Sequence, residues 1–183
     1  MSYRPITDFW LLTRAKLKNG EKYYGAYLGG FPERARILIG VPLETPMLHA
    51  CGGKSKHYLY RRGFGPNDQT ADIDSLLVPD YVCDLEQEFP YRRNGSDKLL
   101  WDGILIDPPY SEVDAAKYAH GKYPNPNTLL KNAMAVLRLG GKVGMIHYVI
   151  PRCPKAAKFI AVVGISCGFG NRLRAFSVFE KCE

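Results

Sequence analysis

A chain of 183 residues, 46% hydrophobic and 23% charged, can bury one substantial core and is too apolar to be a disordered polymer. No apolar run approaches the ~20 residues that span a bilayer, and the opening MSYRPITDFW lacks the apolar centre of a signal peptide. The composition therefore points away from membrane and exported classes and toward a cytoplasmic protein. The formal net charge of +7 favours an acidic partner, nucleic acid foremost.

Residues 1–45 are aromatic and basic, with a turn expected at Asn19-Gly20 and a short helix in PERARILIG. Pro32 sits in the first turn of that helix and Gly40 just past its end. A series of short apolar runs follows: PMLHA (46–50), TADID (70–74), DYVCD (80–84), GILID (103–107), KVGMIHYVI (142–150), FIAVVGIS (159–166) and RAFSVFE (174–180). Short unalternating runs that end near an acid or glycine are the pattern of buried parallel strands. In NTLLKNAMAVLRLGG, Leu129, Leu130, Ala133, Val136 and Leu137 share one helical face; Asn127 or Thr128 can cap its start and Gly140 its end. Only CGFGNRL separates the last two runs, too little for a helical crossover, so they should pair as an antiparallel hairpin at the end of the sheet. The basic residues group as Lys54, Lys56, Arg61 and Arg62; Arg92 and Arg93; Arg152, Lys155 and Lys158; and Arg172 and Arg174, either a binding face or an ordinary solvated surface. Five cysteines without a CxxC, and four histidines without an HxxxH, suggest mostly buried free thiols and no metal site.

The stretch ILIDPPYS carries the chemistry. An apolar strand runs into Asp107, Pro108, Pro109, Tyr110 and Ser111. Prolines stop strands, but the carboxyl end of a parallel strand is also where open α/β sheets bind ligands. This motif, placed after the fourth core strand, resembles the [DNS]-PP-[YFW] signature of class I S-adenosylmethionine-dependent methyltransferases that act on amino nitrogens. LRLGGKVGMI (137–146) and RAFSVFEK resemble the family's fifth-strand passage and its last strand. From LHACGG onward the chain looks like small adenine-specific DNA methyltransferases of phage genomes. The resemblance implies an α/β fold: a Rossmann-like class I methyltransferase sheet of about seven strands, mostly parallel, with a C-terminal antiparallel hairpin. It implies one domain over 1–183, with 1–45 an extension packed on a 46–183 core and no separate target-recognition domain, so low intrinsic sequence specificity or a protein partner that supplies it. The setting implied is bacterial or phage-infected cytoplasm, without a membrane partner.

An exocyclic amine has its lone pair delocalised into the base, and acceptors that hold its hydrogens out of plane help it rehybridise. The resemblance casts Asp107 and the Pro108 carbonyl as those acceptors, with Pro109 fixing the turn and Tyr110 offering a face for an extruded base. S-adenosylmethionine is the implied cofactor, held by Ala50, Cys51, Gly52, Gly53, Asp72, Ile73, Asp84 and Asp107. Asp74 rivals Asp72 for the ribose hydroxyls, and Asp84 matches the acid that meets the adenine amine. The family's GxGxG spacing is missing after the first core strand, and a helix there is expected to be shortened or replaced by a basic loop. GGKS resembles the end of a phosphate-binding loop, but its first glycine would fall at Leu48. His147 reads as a packed histidine beside the pocket. Tyr118, Tyr123 and Asn125, in or beside the proline-stiffened HGKYPNPNT, are candidates for gripping the target base.

Adenine N6 in DNA is thus the expected target. An RNA base or a protein glutamine is the alternative, though the glutamine enzymes usually show Asn where this chain has Asp107. A reading of another class is a non-catalytic nucleic-acid-binding module with a degenerate cofactor site.

Overall fold

The computed structural model describes residues 4–13, 27–57, 63–94, 97–118, 120–168 and 170–183. The turn expected at Asn19-Gly20, and Arg61 and Arg62, lie outside them. Eight strands form one sheet: β1 (Ile6–Leu11), β2 (Met47–Ala50), β3 (Gln69–Asp72), β4 (Tyr81–Val82), β7 (Trp101–Ile106), β8 (Leu137–His147), β9 (Ala157–Ser166) and β10 (Arg174–Lys181). Their order is β1-β9-β10-β8-β7-β2-β3-β4. β10 alone runs antiparallel to its neighbours β8 and β9; the other pairings are parallel. The fold class is therefore the expected one. The hairpin forms as expected, with its second strand slotted between β8 and β9 instead of at the sheet edge. That edge is taken by β1, which pairs with β9 from Ile6↔Ala161 to Leu11↔Ser166 and adds an eighth strand.

A two-stranded ribbon, β5 (Arg92–Asn94) with β6 (Asp97–Leu99), lies apart from the sheet. The connection after β2 holds one 3-10 turn at Ser55–His57, and that after β3 another at Ser75–Leu77.

Helix α1 (Phe31–Ile39) begins with proline in its first turn, and Gly40 (φ 76°) ends it by donating its N–H to the Arg36 and Ile37 carbonyls at 2.8 and 3.1 Å. A four-residue helix α2 (Glu112–Ala115) follows the DPPY turn. Helix α3 (Pro126–Val136) departs from expectation at both ends. Asn125 is its cap, its side-chain oxygen accepting the N–H groups of Asn127 and Thr128. Its last residue, Val136, abuts β8, so Gly140 (φ 72°) lies within a strand and ends no helix. Pro126, fixed at φ near −65°, suits the first helical turn, which moves the cap one residue before it.

The two faces of the sheet are buried separately because successive side chains of β7 point opposite ways. Ile104 and Ile106 join Leu129, Leu130 and Ala133 of α3 on one face. Leu105 joins Phe31, Ala35 and Ile39 of α1, with Trp10 and Phe176, on the other. A fully buried Leu or Ile of this kind contributes about 1.5–3 kcal/mol. Asp68 anchors the segment before β3: it pairs with Arg36 and accepts the Met47 N–H (2.9 Å), the Gly65 N–H (2.7 Å) and His49 Nε2 (3.1 Å). Burial alone would raise this carboxyl; the bonds from His49, Arg36 and Gly65 hold it below its ordinary value. The cysteines are free but not buried as expected: Cys51, Cys83 and Cys167 are half-buried, and Cys153 and Cys182 are exposed. No helix of the described residues is long and apolar enough to cross a membrane.

Candidate active site

Parallel strands deliver their carboxyl ends to one edge. There Ala50, Asp72, Ile106 and His147 end β2, β3, β7 and β8. A cavity of about 230 Å³ opens at this edge, walled by Cys51, Gly53, Asp72, Ile73, Asp84 and Asp107 among others. Six of the eight expected cofactor residues thus face one space. Ala50 and Gly52 support it from behind: the Ala50 carbonyl accepts the Asp107 N–H at 3.2 Å, and the Gly52 N–H reaches the Ala71 carbonyl at 3.3 Å. A Cβ on Gly52 would stand 2.8 Å from the His49 carbonyl oxygen, so only glycine fits this closely packed turn. Cys51 carries a positive φ of 52°, unusual for a side-chain-bearing residue, which turns the chain off β2. Burial pushes its thiol well above the ordinary range.

The acids are differently engaged. Asp72 accepts the backbone N–H groups of Gly53 (3.0 Å) and Asp74 (3.1 Å), joining the loops after β2 and β3 across the cavity wall, and burial raises its carboxyl. Asp74 also lines the cavity, while its side chain accepts the Leu76 N–H at 2.9 Å. Asp84 reaches the wall but is paired with Lys122 at 2.6 Å, and this lysine lies 3.0 Å from Glu86 as well. The pairing holds the Asp84 carboxyl below its usual value. Lys122 escaped the sequence reading because its partners lie far off in the chain. Lys117, Tyr118, Gly121 and Pro124, near it in the chain, also line the cavity.

Asp107 leaves β7 half-buried, and Tyr110 donates its hydroxyl to Asp107 Oδ1 at 2.5 Å. Burial pushes the Asp107 carboxyl up to about 7, against the bond from Tyr110 and the nearby Arg174. Burial and Asp107 in turn keep the Tyr110 hydroxyl protonated. Pro108 is buried and Pro109 lines the cavity, so the motif divides between support and wall. Tyr110 lies edge-on to His147 at 5.7 Å and near Tyr148 at 4.8 Å between ring centroids. Tyr123 lies parallel to His147 at 6.2 Å. His147 accepts the Val149 N–H at 2.9 Å, and burial lowers its basicity. The three expected base-gripping residues are therefore not one cluster. Tyr118 faces the cavity, Tyr123 joins the aromatic group around Tyr110, and Asn125 caps α3. Tyr148 was missed, although its place just past the fifth core strand was the available signal.

No protein-family model matches the sequence, and no curated protein sequence does. Solved structures do resemble the fold. TrmN from Thermus thermophilus superposes with a TM-score of 0.60 at 16% identity, over 85% of this chain and 49% of that one, so this chain spans about half its length. The N-methyltransferase NodS from Bradyrhizobium japonicum WM9 gives 0.51 at 12% identity, over 82% of this chain and 96% of its own. NodS in complex with S-adenosyl-L-homocysteine gives 0.51 as well, over 82% of this chain and 87% of that one. At these identities the likeness concerns the fold, which is the Rossmann-like sheet of the class I methyltransferases.

Proposed function

We propose that this chain is an S-adenosylmethionine-dependent methyltransferase acting on an exocyclic amino group of a nucleobase, with N6 of adenine in DNA the leading substrate. One observation carries the reading: the DPPY turn closes the same cavity that Asp72, Gly53 and Asp84 wall at neighbouring strand ends. The residues present suit the cofactor. Gly52 and Gly53 bring backbone close to the cavity, Asp72 and Asp74 offer carboxylates to ribose hydroxyls, and Ile73, Leu77 and Leu129 give an apolar wall to a purine ring. When bound, S-adenosylmethionine supplies an electrophilic methyl carbon.

The chain's own residues then do the rest. Asp107 and the Pro108 carbonyl accept the two amine hydrogens and turn the nitrogen lone pair out of conjugation. The prolines hold these acceptors in place, so little reorganisation is needed. Tyr110 presents a flat face to the base while its hydroxyl keeps Asp107 oriented. The nitrogen must shed one proton after methylation, and a carboxylate titrating near 7 can take it up and release it to water.

Incubation with radiolabelled cofactor and plasmid DNA, followed by nucleoside analysis, tests the reading. Methyl-adenine is expected; finding neither methyl-adenine nor methyl-cytosine with folded, cofactor-bound protein sinks the DNA assignment. Asp107→Ala should abolish turnover and leave calorimetric binding of S-adenosylmethionine within about a factor of three, since the carboxyl acts on the amine. Wild-type activity in that variant would refute its role.

A further inference from the structure

Arg172 and Arg174 form part of the same edge for a topological reason. β10 runs against its neighbours, with Ala175 opposite His147, so its first residues lie beside the carboxyl ends of β7 and β8. The Arg174 guanidinium lies over the Tyr110 ring and that of Arg172 over the Tyr148 ring, each 5.5 Å from the centroid. The two rings are 4.8 Å apart. Two cations and two tyrosines thus make one continuous wall next to Asp107.

Cation–π attraction to a ring does not consume the N–H donors of a guanidinium, which remain able to grip an anion bidentately. Among the described residues those donors are little used. Arg174 reaches Cys167 Sγ, a weak acceptor, at 3.6 Å. The carboxylate nearest Arg172, Asp114, stands 4.0 Å away and already takes Ser111 Oγ at 3.0 Å and Lys117 Nζ at 3.1 Å. The contrast with Arg36 and Arg138 is plain: the first pairs with Asp68 and bonds the Gly63 and Pro42 carbonyls at 2.9 and 2.7 Å, and the second pairs with Asp102. Around the wall Val113, Val149 and Leu173 are exposed, at 69%, 54% and 62%. Unspent bidentate donors set among rings and apolar side chains match a chain that alternates phosphate with flat bases.

We propose that Arg172 and Arg174 clamp the phosphodiester oxygens beside a nucleotide that is single-stranded or extruded from a duplex, while Tyr110 and Tyr148 take its base. The proposal rests on the methyltransferase reading only for what happens to that base. A glutamine side chain has no ring to lay on this wall and no phosphate for its edge. DNA and RNA share the chemistry, and the experiment separates them.

Fluorescence anisotropy with short single-stranded oligodeoxynucleotides and oligoribonucleotides of one sequence, across a sodium chloride series, is the test. Calorimetry with S-adenosylhomocysteine runs alongside it, and thermal melts establish that each variant is folded. Arg172→Ala and Arg174→Ala should each weaken oligonucleotide binding about tenfold and flatten the salt dependence of log K by about 0.7. Arg172→Lys should recover the salt slope but not the affinity, because the charge returns without the fork. The tighter-bound oligonucleotide identifies the sugar. Folded alanine variants with wild-type affinity and slope would overturn the clamp, as would methylation of a glutamine peptide by a protein that binds neither oligonucleotide. If wild type binds oligonucleotide through these arginines yet takes no S-adenosylhomocysteine, the methyltransferase reading fails and the clamp stands. Cofactor binding without arginine-dependent oligonucleotide binding sinks the clamp alone.

Discussion

Asp107 keeps its proton to about pH 7, and this has two measurable consequences. Its value is raised above that of an unfolded aspartate, so between about pH 4 and pH 7 the folded state holds a proton the unfolded state has lost. The carboxyl's contribution to stability is therefore complete below pH 4 and lost as pH rises through 7. Asp107→Asn should melt with wild type near pH 4 and above it near pH 8, by about 2–4 °C for each kcal/mol that the raised carboxyl costs in a chain of this size. Differential scanning calorimetry at the two pH values decides this. Activity should move the other way: an acceptor works best unprotonated, so the wild-type pH–rate profile should rise through about 7, and Asp107→Asn should lose that limb along with most of its turnover. The motif was legible in the sequence because four unusual residues end an apolar strand together. The bond from Tyr110 was not, since nothing in the spelling of DPPY says that the ring turns back on the acid.

At the scale of elements, the Asp68 cluster ties α1, β2 and the segment before β3 together. Its carboxylate accepts from four donors on those pieces. His49 donates Nε2–H to it, which leaves Nδ1 facing the Tyr27 hydroxyl at 3.3 Å. Asp68→Ala strands a buried guanidinium and should cost about 3–5 kcal/mol. The carboxyl lies below its ordinary value, so its stabilisation is present above about pH 4 and lost as pH falls through the folded value. Urea titrations near neutrality should show the full gap between variant and wild type, and titrations in acid a smaller one; an equal gap in both would mean that packing, not charge, is what Asp68 provides. This cluster was not foreseen, because it joins residues 36, 49 and 68, whose spacing has no period. Strands and α3 were foreseen because apolar runs and helical faces are local patterns. The start of α3 was misplaced because two asparagines can cap it and the geometry of Pro126 decides between them, and its end because Val136 runs directly into β8.

Across the whole molecule, one sheet separates two cores, and each holds one of the two tryptophans. Trp10 packs with Phe176 on the α1 face, and Trp101 lies on the α3 face with its indole N–H on the Pro90 carbonyl at 2.7 Å. We propose that both faces unfold as a single domain. Fluorescence of Trp10→Phe and Trp101→Phe should then report coincident urea transitions once each curve is corrected for its own stability loss. Transitions of different steepness would separate the two halves. The mostly parallel plan with an antiparallel finish was legible, since strand–helix–strand spacing implies parallel crossovers and a seven-residue link implies a hairpin; the insertion of β10 between β8 and β9 was not. The edge strand β1 was hidden: Ile6, Phe9 and Leu11 are exposed and Trp10 is buried, so its sequence lacks the apolar run that marked the others. The reversal of β10 reaches further still. Every parallel strand hands the reactive edge its last residues, whereas β10 hands over its first, and it follows all the other strands in the chain. The described residues that line the cavity therefore all precede β10 in the chain, whereas the proposed arginine–tyrosine wall is completed only by β10 and the link before it.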